Sequence, residues 1–599
     1  MSPASRACCL DALVFTVLWL PYAWLVRRFW FVTDDAYITF RYARNLARGF
    51  GPRYNLGETP PVEGYSSFLW MIACAIFELF ELSVEWWPLV LSFACGTLLL
   101  WLVFRILRRR FGAARWTAAL ATLLLALHPP FAVYSTSGLE TLPFVLLLFV
   151  CVERLILRRG GIEPVPAGLA LLGLSLIRVE GIYWGLVLVA LAALSRRMLG
   201  EPWTKPLLAA LAILVLGYGS YWLARFSYYG FPFANVVYVK TGLSGPSLWR
   251  GVEYVVSQLL TQLNLWVLLP AAFFGLRRGR APLGIPLLAL ALGFHAYAIL
   301  VSGDFMAMGR FLLPAWVLTV PLVAWMLEDL SGSAARRAGA LALVAGTALL
   351  GLLPAFDRHP VPEAVRARFN VRYDRTPGRY VSEYRQWEIQ KEEVWRYGVK
   401  GRALRRWLQP SDRVVTSGIG AVGYYSDRFL YDQHGLVNHE VATADYRAYW
   451  AARGRGGLRM PGHDKLVPPS FFFHHDPEVI HVEVDDASSE SKRSRLADRL
   501  VGLQAALRER ALSDRYVVDF RPIPEWEYGG PHQYLVMWRR IPRGRSPQEE
   551  ASAFQRRVGQ FRDGIDEYRA IMAEGYPRPP SDGRAEASRP DPPRRGGPS

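Results

Sequence analysis

The chain has 599 residues, 52 % of them hydrophobic and only 20 % charged, with a mean hydropathy of +0.14. That balance excludes disorder over most of the length and excludes one soluble domain, and it points to a membrane protein carrying one soluble domain. The net charge of +18 raises nucleic acid as a partner, but 63 of the 69 basic residues are Arg and 6 are Lys, and many Arg stand in short clusters between apolar runs, as membrane topology demands.

In chain order, the apolar run at about 9–26 reads as a retained first span, since no small-residue cleavage site follows it. Thr33-Asp34-Asp35 comes next, then a stretch at 36–49 with Tyr37, Phe40, Tyr42 and Leu46 in an amphipathic pattern, expected to lie as a helix in the membrane interface. Further spans are expected at 88–107, 115–131, 139–157, 165–178, 182–195, 205–226, 257–276, 283–301, 309–328 and 336–355, about 11 in all. The run 66–83 is placed in the interface, because only then do the arginine clusters at 108–110, 158–159, 196–197, 277–280 and 336–337 fall on one face, cytoplasmic by the positive-inside rule. The polar, mostly non-basic segments then gather on the opposite face: 33–63, 137–141, 178–180, 228–240 and 303–310. The expected organisation is a membrane domain over 1–356 with a first external loop at 27–87, an extracytoplasmic α/β domain over 357–545, and a polar tail over 546–599, disordered from about 577.

Within the soluble part, Val414-Val415-Thr416, Phe429–Asp432, Tyr516–Phe520 and Tyr534–Trp538 read as strands and Ser488–Glu509 as a helix. The spacing Gly418-x-Gly420-x-x-Gly423 resembles a dinucleotide fingerprint, but no acidic residue follows a second strand in the required place, so no nucleotide site is assigned. Cys8, Cys9, Cys74, Cys95 and Cys151 all precede residue 152, which excludes a disulfide in the soluble part and a zinc site built on cysteines.

Two adjacent carboxylates at a membrane face are costly to desolvate. Asp34 and Asp35 read either as a solvated helix cap or as a catalytic pair at the mouth of a cleft, where a carboxylate can take a proton from a sugar hydroxyl. Arg178, Lys240 and Arg310 stand at outer ends of spans, where a cation either snorkels to headgroups or binds a phosphate. Glu180 and Asp304 either pair with Arg178 and Arg310 or contact substrate.

The run Thr33-Asp34-Asp35-Ala36-Tyr37-Ile38-Thr39-Phe40-Arg41-Tyr42-Ala43-Arg44-Asn45-Leu46 resembles the first external loop of C-type glycosyltransferases, and Val62-Glu63-Gly64-Tyr65-Ser66-Ser67-Phe68-Leu69-Trp70 continues it. Further matching motifs are Ser137-Gly138-Leu139-Glu140-Thr141, Arg178-x-Glu180-Gly181, Tyr229-Gly230 through Lys240, Gly303-Asp304 through Arg310-Phe311, and Gly462-His463-x-Lys465. The pattern is most similar to the bacterial branch that includes mycobacterial terminal arabinofuranosyltransferases, with aminoarabinose and protein mannosyltransferases as relatives. The resemblance implies a multi-span helical fold and a polyprenyl-phosphate sugar donor. It makes Asp34 the catalytic aspartate, matches Glu140 to an acidic residue of the second external loop, and implies no nucleotide-sugar site; Asp35 and Glu140 could orient the acceptor, hold Asp34 or bind a divalent cation. Arg178, Lys240 and Arg310 become candidates for the donor phosphate. Glu63, Tyr65, Glu180, Asp304, His463 and Lys465 become candidates for the acceptor side. The scattered carboxylates permit a divalent cation without showing one.

The expected activity is inverting transfer of a sugar, arabinofuranose first, from polyprenyl phosphate to a periplasmic or cell-wall glycan acceptor, by a multi-pass protein of the bacterial inner membrane. A transporter or flippase of lipid-linked sugars, or a non-catalytic cell-wall assembly protein, are the alternatives. Transporters often carry two related halves and midplane sites, and the chain shows neither signal.

Overall fold

A computed structural model describes residues 3–563 except 159, 241–243, 263–265, 278, 359–360, 370–380, 446–461 and 525–531. The expected tail disorder from about 577 lies outside the described residues. The chain divides into two units, the first formed by 1–54, 58–392 and 434–465 and the second by 55–57, 393–433 and 466–599.

The first unit is helical. Among the described residues seven helices are long and apolar enough to cross a membrane: Cys8–Arg28, Trp87–Arg109, Gly181–Leu199, Thr204–Tyr229, Ala281–Leu300, Ala307–Leu330 and Ala334–Phe356. Phe68–Leu79, Arg115–Ala126 and Pro164–Ile177 are apolar but shorter. At ~1.5 Å per residue the 68–79 helix covers only about 18 Å, too little to cross alone. Helix Thr141–Val152 runs on into a π-helical turn, Glu153–Leu157. The apolar run 257–276 is not one helix: Gly245–Thr261 ends inside it and Leu268–Gly275 follows as a separate short helix. The most enclosed span is Ala307–Leu330, with 89 % of its apolar window buried, whereas Thr204–Tyr229 has 17 % buried and presents most of its surface outward.

The arginine clusters are drawn together at one end of this bundle. Arg115 pairs with Asp11 at 2.6 Å, Arg110 with Glu153 at 3.1 Å, and Arg280 with Asp329 at 2.8 Å. Arg196, fully buried, donates to the carbonyls of Leu155 and Arg158, and Glu328 accepts from the Ala114 amide at 2.5 Å. The opposite end collects Thr33, Ser137, Glu140, Arg178, Ser302 and Arg310 (below). One end is therefore rich in basic loops and the other mixed and acidic, as the run-by-run reading expects.

A second expectation, besides the span at 257–276, is corrected. The helix after Asp34-Asp35 spans Asp34–Ala47, and every residue from Ala36 to Asn45 is buried, Arg41 and Arg44 included. It does not lie in an interface with one face to lipid, because protein encloses it on all sides. Arg41 is accommodated by stacking on Tyr54, 4.0 Å from the ring centre, while its Nε donates to the Tyr54 carbonyl at 2.9 Å.

The second unit is built on a five-stranded mixed sheet of order β2-β1-β3-β5-β4. The strands are β1 (Arg413–Thr416), β2 (Phe429–Asp432), β3 (Val479–Asp486), β4 (Tyr516–Ile523) and β5 (Gln533–Arg540). β1 runs parallel to β2 and β3, and β5 lies antiparallel between β3 and β4. A parallel pair needs a crossover, and helix Gly420–Ser426 supplies the one between β1 and β2. Gly418 packs against Tyr397, where a Cβ would come within 3.2 Å of the ring. Gly418 thus allows a close approach of the turn after β1 to Tyr397. Helix Glu490–Glu509, capped by Ser489, and helix Pro547–Arg562, capped by Ser546, complete the unit.

Candidate active site

The acidic first loop is fixed to the 137–140 loop by the backbone. The Thr33 amide donates to the Ser137 carbonyl at 3.0 Å, and the Thr33 hydroxyl donates to the same oxygen at 3.2 Å. Trp70 closes the arrangement from below, its indole N–H donating to the Gly138 carbonyl at 3.0 Å. Gly138 has φ +79° and sits so close that a Cβ would meet Ala36 at 2.8 Å and Val32 at 3.0 Å. Asp34 and Asp35 occupy the first turn of the 34–47 helix, half-buried, at the positive end of the helix dipole. Glu140 stands just before helix Thr141–Val152 and is buried.

From Glu140 the polar chain continues to the arginines. Arg178 Nη1 donates to Glu140 at 2.9 Å and its Nε to Glu180 at 2.6 Å. Arg310 Nε and Nη2 hold the two oxygens of Asp304 at 2.8 and 3.2 Å. Both guanidiniums lie against the ring of Phe311, Arg310 at 5.0 Å and Arg178 at 6.0 Å from its centre. Arg310 is also within electrostatic reach of Glu140 and Asp35. The two arginines, Glu140, Glu180, Asp304 and Asp35 therefore form one constellation at one end of the bundle. Buried charges of this kind persist only when paired and hydrogen-bonded, and in a chain of membrane-spanning helices they make this cluster a candidate site. Arginine's planar fork can hold a carboxylate on one edge and leave another for a phosphate.

The remaining candidates fall elsewhere. Lys240 ends the short helix Asn235–Lys240, and its side chain lies outside the described residues. Glu63 is buried against Arg225, whose Nε donates at 2.6 Å; burial pushes the Glu63 carboxyl above the usual range and Arg225 opposes that. Tyr65 is buried beside it, accepting from Tyr229 at 3.3 Å and stacked edge-on with Tyr42. Lys465 donates to the carbonyls of Tyr238, at 3.1 Å, and Ala442. His463 packs edge-on against Phe305 and His434 at 4.7 and 4.8 Å between ring centres. Glu63, Tyr65 and Lys465 therefore brace loops around the site. Among the described residues, Asp34, Asp35 and Glu140 do not bring three ligand atoms close enough to share one metal ion.

Three residues absent from the sequence reading, Arg250, Arg225 and Glu383, support this end of the bundle together with Asn235 of the 229–240 motif. Arg250 forms a bidentate pair with Asp464 at 2.8 and 2.9 Å and donates to the Ser302 hydroxyl at 2.8 Å. Asn235 donates to the Leu436 carbonyl at 3.2 Å, and its Oδ1 accepts from the His439 Nδ1–H at 2.8 Å. Arg225 holds Glu63, and Glu383 is buried beside the 307–312 turn. Arg250, Arg225 and Glu383 belong to no motif, since the side chains they hold here, Asp464, Ser302, Glu63 and Gln258, are more than 50 residues away in sequence; a rare intramembrane arginine was the one available signal.

The fold has solved counterparts. ArnT from Cupriavidus metallidurans bound to undecaprenyl phosphate superposes with a TM-score of 0.52 at 14 % identity, over 89 % of this chain and 98 % of that one. The same protein in the apo state gives 0.50 at 12 % identity, over 90 % and 98 %. An oligosaccharyltransferase from Archaeoglobus fulgidus, in complex with zinc and sulfate, reaches 0.43 at 14 % identity over 87 % and 72 %. Residues 382–536 match a family described as a domain of unknown function, DUF8728. No curated protein matches the chain. The chain has the C-type glycosyltransferase fold: a multi-span helical membrane unit with a carboxyl-terminal α/β domain.

Proposed function

We propose that the chain is an integral-membrane, inverting glycosyltransferase that takes a sugar from a polyprenyl phosphate and gives it to a glycan acceptor outside the cytoplasm. The observation that carries this reading is the single constellation in which Asp35 and Glu140 stand with two carboxylate-held arginines on Phe311, Asp34 lying beside Asp35 in the first turn of its helix. The shared fold with ArnT, solved with undecaprenyl phosphate, supports a lipid-phosphate donor.

In this reaction Asp34 accepts the proton of the acceptor hydroxyl as its oxygen attacks C1 of the sugar. The C1–O bond to phosphate breaks on the opposite face, and C1 is inverted. The phosphate leaves as a dianion, and Arg178 and Arg310 stabilise the charge that develops on it. Glu180 and Asp304 serve by fixing these guanidiniums. Asp35 and Glu140 orient the acceptor, with His463, Glu63, Tyr65 and Lys465 shaping its approach and Lys240 a third cation for the donor. The positive-inside rule supports a bacterial inner-membrane protein whose basic loops are cytoplasmic, with the site and the carboxyl-terminal domain extracytoplasmic in this reading. Arabinofuranose is the favoured sugar and a cell-wall glycan the favoured acceptor, on the resemblance of the loop motifs.

The test is transfer from a panel of radiolabelled polyprenyl-phosphate sugars to an acceptor extract by purified protein. Wild type should move label and Asp34→Asn should lose about 10²–10⁴-fold while remaining folded, the range for a lost general base. Full activity of Asp34→Asn removes Asp34 from the chemistry. No transfer from any donor by folded wild type favours the transport of lipid-linked sugar instead.

A further inference from the structure

Two consecutive residues before Arg310 hold the left-handed backbone region, Met308 at φ 64° and ψ 19°, and Gly309 at φ 66° and ψ 45°. A residue with a side chain adopts that region only where its surroundings over-determine it. Here the surroundings are polar and come from distant segments. The buried Glu383 carboxylate accepts from the Met308 amide and, at 2.7 Å, from the Gln258 side chain. Gln258 accepts from the Gln262 amide at 2.6 Å, and that same amide reaches the Met308 carbonyl at 3.2 Å. The Gln258 amide lies over Gly309, where a Cβ would come within 2.4 Å of its oxygen. The Tyr134 hydroxyl holds the Ala307 carbonyl, and Gln390, on the same helix as Glu383, donates to the Phe305 carbonyl at 3.3 Å.

Among the described residues no cation pairs with Glu383, and its carboxyl oxygens are met by N–H donors. Burying a carboxyl this way is unfavourable for stability, and an apolar residue there would avoid it. What the network does fix is the direction in which Arg310 leaves the turn, against Asp304 and Phe311.

We propose that Glu383 is a positioning residue: it locks the Met308–Gly309 turn and thereby aims Arg310 at the donor phosphate. The inference rests on the transferase reading above, and it assigns a role in the membrane site to a residue that follows the last span in sequence.

The experiment is a double-mutant cycle on the full-length protein, with Arg310→Ala, Glu383→Ala and the double variant. Two quantities are read: binding of undecaprenyl phosphate, used as the probe, and sugar transfer. Arg310→Ala should weaken both by roughly 10- to 100-fold, the loss of a charged hydrogen bond. Glu383→Ala should lose about tenfold, as a displaced binding group does. The double variant should be no worse than Arg310→Ala, since Glu383 acts only through that side chain. Glu383→Gln keeps an acceptor for the Met308 amide and should recover part of the loss. Where Glu383→Ala does not fold, the cycle is run with Glu383→Gln under the same criterion. Losses that multiply, or wild-type binding and transfer in Glu383→Ala, overturn the proposal. Multiplying losses beside an inactive Asp34→Asn sink it and leave the transferase reading standing. A wild type that neither binds the probe nor transfers sugar overturns both.

Discussion

Arg178 bridges two carboxylates with different edges of one planar group, Glu140 through Nη1 and Glu180 through Nε. A lysine carries the same charge as a point donor and cannot span both. Arg178→Lys should therefore keep the fold and lower kcat/KM for transfer by tenfold or more, about 1.4 kcal/mol; unchanged kinetics would show that the bridge is structural. In the second unit the buried Asp519 accepts from Arg557 at 2.9 Å and Arg521 at 3.0 Å. Burial works to raise its carboxyl, but the two guanidiniums outweigh it and hold the group below the usual aspartate range. Its contribution to stability is therefore complete above the unfolded value of about 3.9 and fades as pH falls through that value toward the lower folded one. Asp519→Asn leaves two arginines facing a neutral amide and should cost about 3–5 kcal/mol at neutral pH. Thermal unfolding of the full chain checks it, and the difference from wild type should shrink on acidification into that range.

At the scale of elements, the contact that matters is between the 34–47 helix and the 137–140 loop. Its closeness depends on Gly138, which combines a positive φ with no room for a Cβ. Gly138→Ala should lower stability by roughly 1–3 kcal/mol through overpacking. It should also reduce kcat more than KM, because it shifts Asp34 relative to Glu140. Equal activity with lowered stability would separate packing from placement. The 307–312 turn is the second such element, since its two left-handed residues set where Arg310 points.

At the scale of the whole molecule, the bundle separates a basic end from a mixed, acidic one. The positive-inside rule then assigns opposite sides of the membrane to loops such as 331–333 and 230–233. A cysteine placed at Ser333 should be shielded from a membrane-impermeant maleimide in intact cells, and one at the exposed Phe233 should react. The reverse labelling pattern would put the site on the cytoplasmic side and end the proposal of an extracytoplasmic acceptor.

Much of this was legible in the sequence, for reasons that are local. Long apolar runs are helices across a membrane because nothing else satisfies the backbone there, so most spans could be read directly. The strands at 414–416, 429–432, 516–520 and 534–538 announced themselves by β-branched and aromatic content, while β3 did not, its second half carrying Glu483, Asp485 and Asp486. The acidic first loop and the arginines at span ends stood out because charge is rare in such surroundings. By itself, then, the sequence determined the membrane class, the position of most elements and the principal candidate residues. The tertiary structure alone decided that the 34–47 helix is enclosed rather than interfacial, that Arg178 and Arg310 meet on one phenylalanine, and that Glu383, Arg225 and Arg250 belong to the same end of the bundle. Pairings between residues 50 to 200 positions apart leave no periodicity behind; they exist only once packing has brought the segments together.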